Sequence, residues 1–263
     1  MFDIKSNGNQ RDKQLQPGNR ESVTSATCAH VGIVACSAEG AALCYRTLCK
    51  EGTRILGPHA HPEISMHTHP LDEYVKFLSR GDWQGVGHLM LDSANKIAKS
   101  GADFLICPDN TIHQALPYVE SKSPLPWLHI AEVVAARAEE CGFGCVGLLG
   151  TRWLVESEVY PRKLADRGLA HRLPAKVERN EIDRIIMNEL VNGVFRPEVV
   201  AYHRRVIARM RDEGCDAVVL GCTEIPLIMN DGNSPLPTLD STRLLARAAL
   251  MHSVANRAGD AIP

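Results

Sequence analysis

The sequence predicts an α/β protein of two pseudo-symmetric domains, each a parallel sheet flanked by helices, with an active site in the cleft between them. Gly101 opens the run Gly-Ala-Asp-Phe-Leu-Ile-Cys-Pro-Asp-Asn-Thr-Ile, and Gly214 opens Gly-Cys-Asp-Ala-Val-Val-Leu-Gly-Cys-Thr-Glu-Ile. Each is a turn glycine, an aspartate, an apolar run fit for a buried parallel strand, and a polar cluster where that strand should end. Val31-Gly-Ile-Val-Ala-Cys36 and Val146-Gly-Leu-Leu-Gly-Thr151 form a second matching pair of strands. The 73-residue gap from 36 to 109 is matched by a 71-residue gap from 151 to 222. Matched spacing argues for a duplicated unit. The third observation is the alternation of short apolar runs with helical patterns, which favours parallel sheets covered by helices.

In chain order, residues 1–27 carry almost no apolar content, cannot offset the entropy of ordering, and are expected to form a disordered tail. A strand is expected over 31–35 and a helix over about 39–50, followed by a His/Pro-rich loop at 57–70. Helices are expected at about 70–80 and 83–100, a strand at 103–107, and a helix at about 111–121. The second half repeats the theme: helix 130–141, strand 145–149, and helices at about 152–167, 178–192 and 196–213. A strand at 216–220 and a helix at about 224–229 follow, then Pro235-Leu-Pro237, after which Asp240 or Ser241 can cap a last helix to about 258. The expected domains are 28–128 plus 240–263, with the last helix packing back on the first unit, and 129–239.

Composition excludes several classes. With 44% hydrophobic and 23% charged residues in 263, the chain is ordinary for a globular protein with two modest cores. The formal net charge of −2 provides no basic field, so nucleic acid is not an expected partner. No apolar run approaches the roughly 20 residues of a spanning helix, and the first 27 are too polar for a signal peptide. No membrane association is expected, and the expected compartment is the cytoplasm. Nine scattered cysteines, many inside apolar runs, suit reduced core thiols.

Two side chains stand where chemistry is expected. Asp109 and Cys222 occupy equivalent positions in the two copies, beyond the carboxyl ends of strands, where ligands of open α/β sheets bind. Moving a proton on and off carbon, with inversion, needs a base on one face and an acid on the other. A thiol suits this because its pKa is easily tuned. Cys222 follows Gly221, which would let backbone approach a ligand, and precedes Thr223-Glu224 at an expected helix start that could offer N–H groups to an anion. Burial alone would also explain Cys222, and N-capping would explain Asp109. Asn110 and Thr111 have donors and acceptors for a carboxylate, though the local turn could also satisfy them. His59, His61, His67 and His69 have the i, i+2 spacing that places pairs on one face of an extended segment, which in principle suits a metal. No cysteine or carboxylate sits at a recognised zinc spacing beside them. The expectation is a polar loop, with a substrate-facing loop as second reading and no metal ligand assigned.

Cys107-Pro-Asp-Asn-Thr-Ile-His113 is similar to the Pro-Cys-Asn-Thr-x-His segment of the aspartate/glutamate racemase superfamily, and Leu220-Gly-Cys-Thr-Glu-Ile225 to its Gly-Cys-Thr-Glu segment. Gly150-Thr-Arg152 followed by Tyr160 resembles the opening of that family's second domain. The resemblance spans about residues 30–255. It implies a cofactor-independent racemase of an acidic amino acid, aspartate or glutamate, in which Asp109 and Cys222 transfer protons on opposite faces of the α-carbon. It also implies that Ser37, Asn110, Thr111, Thr151, Thr223 and Glu224 bind substrate and that neither pyridoxal phosphate nor metal takes part; relatives commonly form dimers, which leaves a homodimer open here. An acidic substrate calls for cations, with Arg54, Arg152, Arg162 and Lys163 as the candidates left open. This chain departs from the pattern in having Asp109 for the first cysteine and Ala35-Cys-Ser-Ala-Glu-Gly40 for a Gly-Gly-Met-Ser type of loop. Decarboxylases, cis–trans isomerases and lyases of the superfamily use one cysteine, so a single-cysteine enzyme on a small dicarboxylate or related acid is the alternative. A ligand-binding descendant is a third, against which the intact Gly221-Cys-Thr-Glu224 argues.

Overall fold

The computed structural model describes residues 28–256; the expected tail at 1–27 lies outside them, as do residues 257 and 258 of the expected last helix. Two four-stranded, all-parallel sheets are present, which confirms the fold class. The first half contains β1 (Val31–Ala35), α1 (Ala38–Leu56), β2 (Ile64–Thr68), α2 (Leu71–Leu78), α3 (Trp83–Lys99), β3 (Phe104–Ile106) and β4 (Trp127–Leu128). The second contains α4 (Ile130–Glu140), β5 (Cys145–Leu149), α5 (Arg152–Val155), α6 (Val159–Ala165), β6 (Ala170–Arg172), α7 (Lys176–Asn188), α8 (Pro197–Asp212), β7 (Ala217–Leu220) and β8 (Thr238–Asp240), followed by α9 (Ser241–Ala255).

The sheet orders are β2-β1-β3-β4 and β6-β5-β7-β8, the same topology twice. In each, the chain reverses direction across the sheet between the first and third strands, and a crevice opens there at the strand ends. The central strands are buried on both faces, as expected of parallel sheets. Val31, Ile33 and Phe104 pack with Leu48, Leu245 and Leu250 on one side, while Val34 and Leu105 pack with Val86, Met90 and Ile97 on the other. Likewise Val146 and Leu148 face Val134 and Leu154, and Leu149 and Leu220 face Ile182 and Val206. Helix α9 packs against the first sheet through Leu245, Ala246, Ala249 and Leu250.

Edge strands are where the sequence reading fell short. The His/Pro-rich segment is only partly a loop: 57–63, with His59 and His61, is irregular, but Ile64–Thr68 pairs with β1, Val34 opposite His67. Strands β4, β6 and β8, of two or three residues, were likewise not expected, because one or two apolar side chains carry no periodicity. The expected helix at 111–121 is a 3-10 segment over Thr111–Tyr118 with Pro117 inside it. The one at 152–167 breaks into α5 and α6, and the one at 224–229 is a single 3-10 turn at Ile225–Leu227. The helix start expected to favour an anion beside Cys222 is therefore only one turn long. Gly221 also has a different reason from the one expected. A side chain there would collide with the carbonyl of Leu149, to which the Gly221 N–H donates at 2.8 Å, so the glycine allows close packing between strand ends.

Candidate active site

The four central strand ends of the two sheets face each other. Cys36 and Ser37 follow β1, Asp109 to Thr111 follow β3, Thr151 follows β5, and Gly221 to Glu224 follow β7. All eight side chains singled out in the sequence, Ser37, Asp109, Asn110, Thr111, Thr151, Cys222, Thr223 and Glu224, line one cavity of about 70 Å³.

Hydroxyl pairs fasten the two halves around it. Ser37 Oγ lies 3.1 Å from Thr223 Oγ1, and Thr151 Oγ1 lies 3.0 Å from Thr111 Oγ1. The first member of each pair is also a helix N-cap: Ser37 accepts from the Gly40 N–H and Thr151 from the Leu154 N–H. Because a hydroxyl has one proton and two lone pairs, each pair leaves one O–H uncommitted at the cavity edge. Gly40 makes this closeness feasible, since a Cβ there would strike Thr223 and the Pro108 carbonyl.

Asn110, only 2% exposed, ties a third link. Its carbonyl oxygen accepts from the Tyr160 hydroxyl at 2.7 Å and its amide donates to Ser241 Oγ at 3.0 Å, while Ser241 donates to the Leu220 carbonyl. Joining the halves leaves Asn110 one amide N–H for a ligand. His113, the histidine of the Asn-Thr-x-His motif, does not line the cavity. Its Nε2 accepts from the Ile130 N–H at 3.2 Å, so Nδ1 must donate to the Asp109 carbonyl at 2.6 Å. Burial and neighbouring His129 hold His113 well below the usual imidazole range, hence neutral. It pins the backbone that presents Asp109.

The two acid/base candidates differ in environment. Cys222 is buried, and its thiol donates to Glu224 Oε2 at 2.8 Å. Burial first, then the Glu224 carboxylate, push the thiol well above its ordinary pKa, while the Glu224 backbone N–H pulls weakly the other way. The neutral thiol is therefore the resting form. Asp109 Oδ1 accepts the Ile112 N–H at 3.1 Å as a cap, and the half-buried residue lines the cavity. Burial, with the charge of Glu224 adding, raises its pKa, while bonds from Ile112 and the Cys36 thiol hold it down. Cys36 lines the cavity beside Asp109 and was not among the sequence candidates. The duplication could have found it, because Cys36 matches Thr151 across the repeat. Cys107 is fully buried in the core below the loop and does not line the cavity.

The rest of the wall is apolar. Leu71, Val75 and Leu78 of α2 face it from the first half; Trp153, Ile186, Met187 and Val191 face it from the second. Among the described residues lining the cavity there is no Lys, Arg or His, which corrects the expectation of cations for an acidic side chain. Arg162 and Lys163 line a separate open groove of about 630 Å³ that neither Asp109 nor Cys222 reaches. His67 and His69 are not substrate-facing either. His67 lies on β2 and His69 just beyond its end, both against α3, where His67 Nδ1 is 2.9 Å from Ser93 Oγ and His69 Nε2 is 2.9 Å from Asp92. These two rings and Asp92 bring ligand-type atoms within 4.8 Å of one another, but Lys96 already pairs with that carboxylate at 2.6 Å.

Known proteins share this architecture. The chain is similar to a candidate Asp/Glu racemase of known structure from Yersinia pestis, with 28% identity over 86% of this chain and 99% of that one, at a TM-score of 0.79. An aspartate racemase homologue from Pyrococcus horikoshii OT3 superposes with a TM-score of 0.74 over 85% of this chain and 98% of that one, at 24% identity, a likeness of fold. The broad specificity amino-acid racemase RacX of Bacillus subtilis (strain 168) is 23% identical over 164 residues, 61% of this chain and 69% of the relative. The family model described as Asp/Glu/Hydantoin racemase matches residues 30–249, and the chain belongs to that family.

Proposed function

We propose that this protein racemises an amino acid by moving the α-proton between Asp109 and Cys222 without a cofactor. The observation that carries the reading is the placement of a carboxyl and a thiol from equivalent strand ends of two related halves on one cavity. The pair works with a single proton. At rest that proton sits on the sulfur, because burial and Glu224 disfavour the thiolate, so Asp109 is the base and Cys222 the acid in the first turnover. Reversal needs the proton on Asp109 and a thiolate beside Glu224. The raised Asp109 pKa narrows the gap between the two forms. The uncommitted O–H of each hydroxyl pair and the free amide N–H of Asn110 bind the substrate carboxylate, and Glu224 sets the protonation of Cys222. A relative named for broad amino-acid specificity supports the reaction class.

The test is exchange of the α-proton in heavy water, together with loss of optical activity. We expect Cys222→Ser to fold normally and lose racemisation by about a hundredfold or more, the scale of a lost general acid. Activity in the parent should survive chelation and hydroxylamine. Full activity of Cys222→Ser would remove the mechanism, and a product of altered mass would point to a single-cysteine decarboxylase or lyase.

A further inference from the structure

We infer that the substrate of this site carries a short, uncharged aliphatic side chain, a proposal that rests on the α-proton transfer reading above. Leu71, Val75 and Leu78 recur at helical spacing on one face of α2, yet Leu71 and Val75 keep partial exposure because this face meets the cavity as well as the core. Ile186 and Met187 at the end of α7, and Val191 just beyond it, complete the opposite apolar wall. Apart from the Trp153 indole, the polar side chains are confined to the four strand-end loops, those of Asp109 and Cys222 among them. A substrate with its α-carbon between those two groups therefore directs its side chain away from the loops and into hydrocarbon.

Charge points the same way. Asp109 and Glu224 both line the cavity, and no described lining residue is cationic. An amino acid with an uncharged side chain brings in an ammonium and one carboxylate, which the carboxyl-rich loop and the free O–H groups can balance. Aspartate or glutamate would put a second carboxylate into that hydrocarbon wall, buried and with no cation among the described lining residues to pair it, an arrangement proteins avoid. Size sets the other limit. A water needs about 10–15 Å³ of such space, so the cavity of about 70 Å³ holds about five to seven water-sized groups. That matches alanine and 2-aminobutyrate, of about six and seven non-hydrogen atoms, with valine just beyond, and is too small for phenylalanine with about twelve.

The experiment follows the loss of α-proton NMR signal in heavy water with the full chain and a panel of alanine, 2-aminobutyrate, valine, aspartate, glutamate and phenylalanine. We expect kcat/KM for the best aliphatic member to exceed that for aspartate and glutamate by about a hundredfold or more, the scale at which a site rejects a ligand whose polar group it cannot pair. Val75→Arg, which puts a cation in the wall, should raise exchange of aspartate or glutamate and depress that of the aliphatic members. Aspartate or glutamate turned over as well as the aliphatic members by the parent protein would overturn the proposal and leave the proton-transfer reading standing. Exchange with no member of the panel would overturn both.

Discussion

Replacing Asp109 by Asn separates the two roles this residue can have. The cap depends on Oδ1, which accepts the Ile112 N–H at 3.1 Å, and an asparagine oxygen in the same place accepts it equally well. Stability should therefore stay within about 0.5 kcal/mol of the parent, the range of substitutions that disturb no packing or partner. A rise is the favoured direction, because the variant no longer buries a carboxylate near Glu224 whose pKa burial has raised. Catalysis depends on the other property, the exchangeable proton, which the amide cannot supply. Loss of a general acid/base costs about a hundred- to ten-thousandfold, which is about 2.7–5.4 kcal/mol of barrier at 1.36 kcal/mol per decade. The assay is racemisation by circular dichroism, on the best substrate of the panel, alongside α-proton exchange in heavy water and a thermal melt. Exchange from the single face served by Cys222 should persist in Asp109→Asn and speed up with pH, since only the thiolate can accept a proton. Racemisation within about threefold of the parent, far short of the loss expected for a general base, would show that Asp109 is a cap and nothing more.

Glu224→Gln removes the negative charge and the strong acceptor beside Cys222, so the thiol pKa should fall. Iodoacetamide alkylation of Cys222, measured against Cys222→Ser as blank, should move to lower pH, and an unchanged profile would detach Glu224 from the thiol. Acid should destabilise the fold through His129, which burial and Lys163 depress to about 4. An unfolded histidine titrates near 6.5, so the unfolded chain binds the extra proton and stability is lost as pH falls from about 6.5 toward 4, about 2 kcal/mol of it by pH 5. Because the His129 side chain caps α4 by accepting the Ala131 N–H, His129→Asn should keep the cap yet flatten the dependence of Tm on pH between 7.5 and 5. The same slope in both proteins would refute this assignment.

By itself the sequence determined the duplicated α/β architecture, because β1, β3, β5 and β7 are buried on both faces and so appear as apolar runs between turn glycines and polar clusters. It also determined the site loops, since strand ends in a repeated unit fall at equivalent positions, and Asp109 and Cys222 do meet at one cavity. Edge strands β2, β4, β6 and β8 were not legible, because their pairing comes from a neighbour's backbone and leaves little trace in side-chain pattern. Only the tertiary structure decided that Asn110 joins the two halves through Tyr160 and Ser241, 50 and 131 residues away, and that Cys222 donates to Glu224. The same holds for the wall of the cavity. Leu71, Val75, Ile186 and Met187 are ordinary members of amphipathic helices, and a helix face that meets a cavity has the same periodicity as one that meets a core. Which of the two it meets depends on how the two sheets are fastened together, through contacts between residues far apart in the chain.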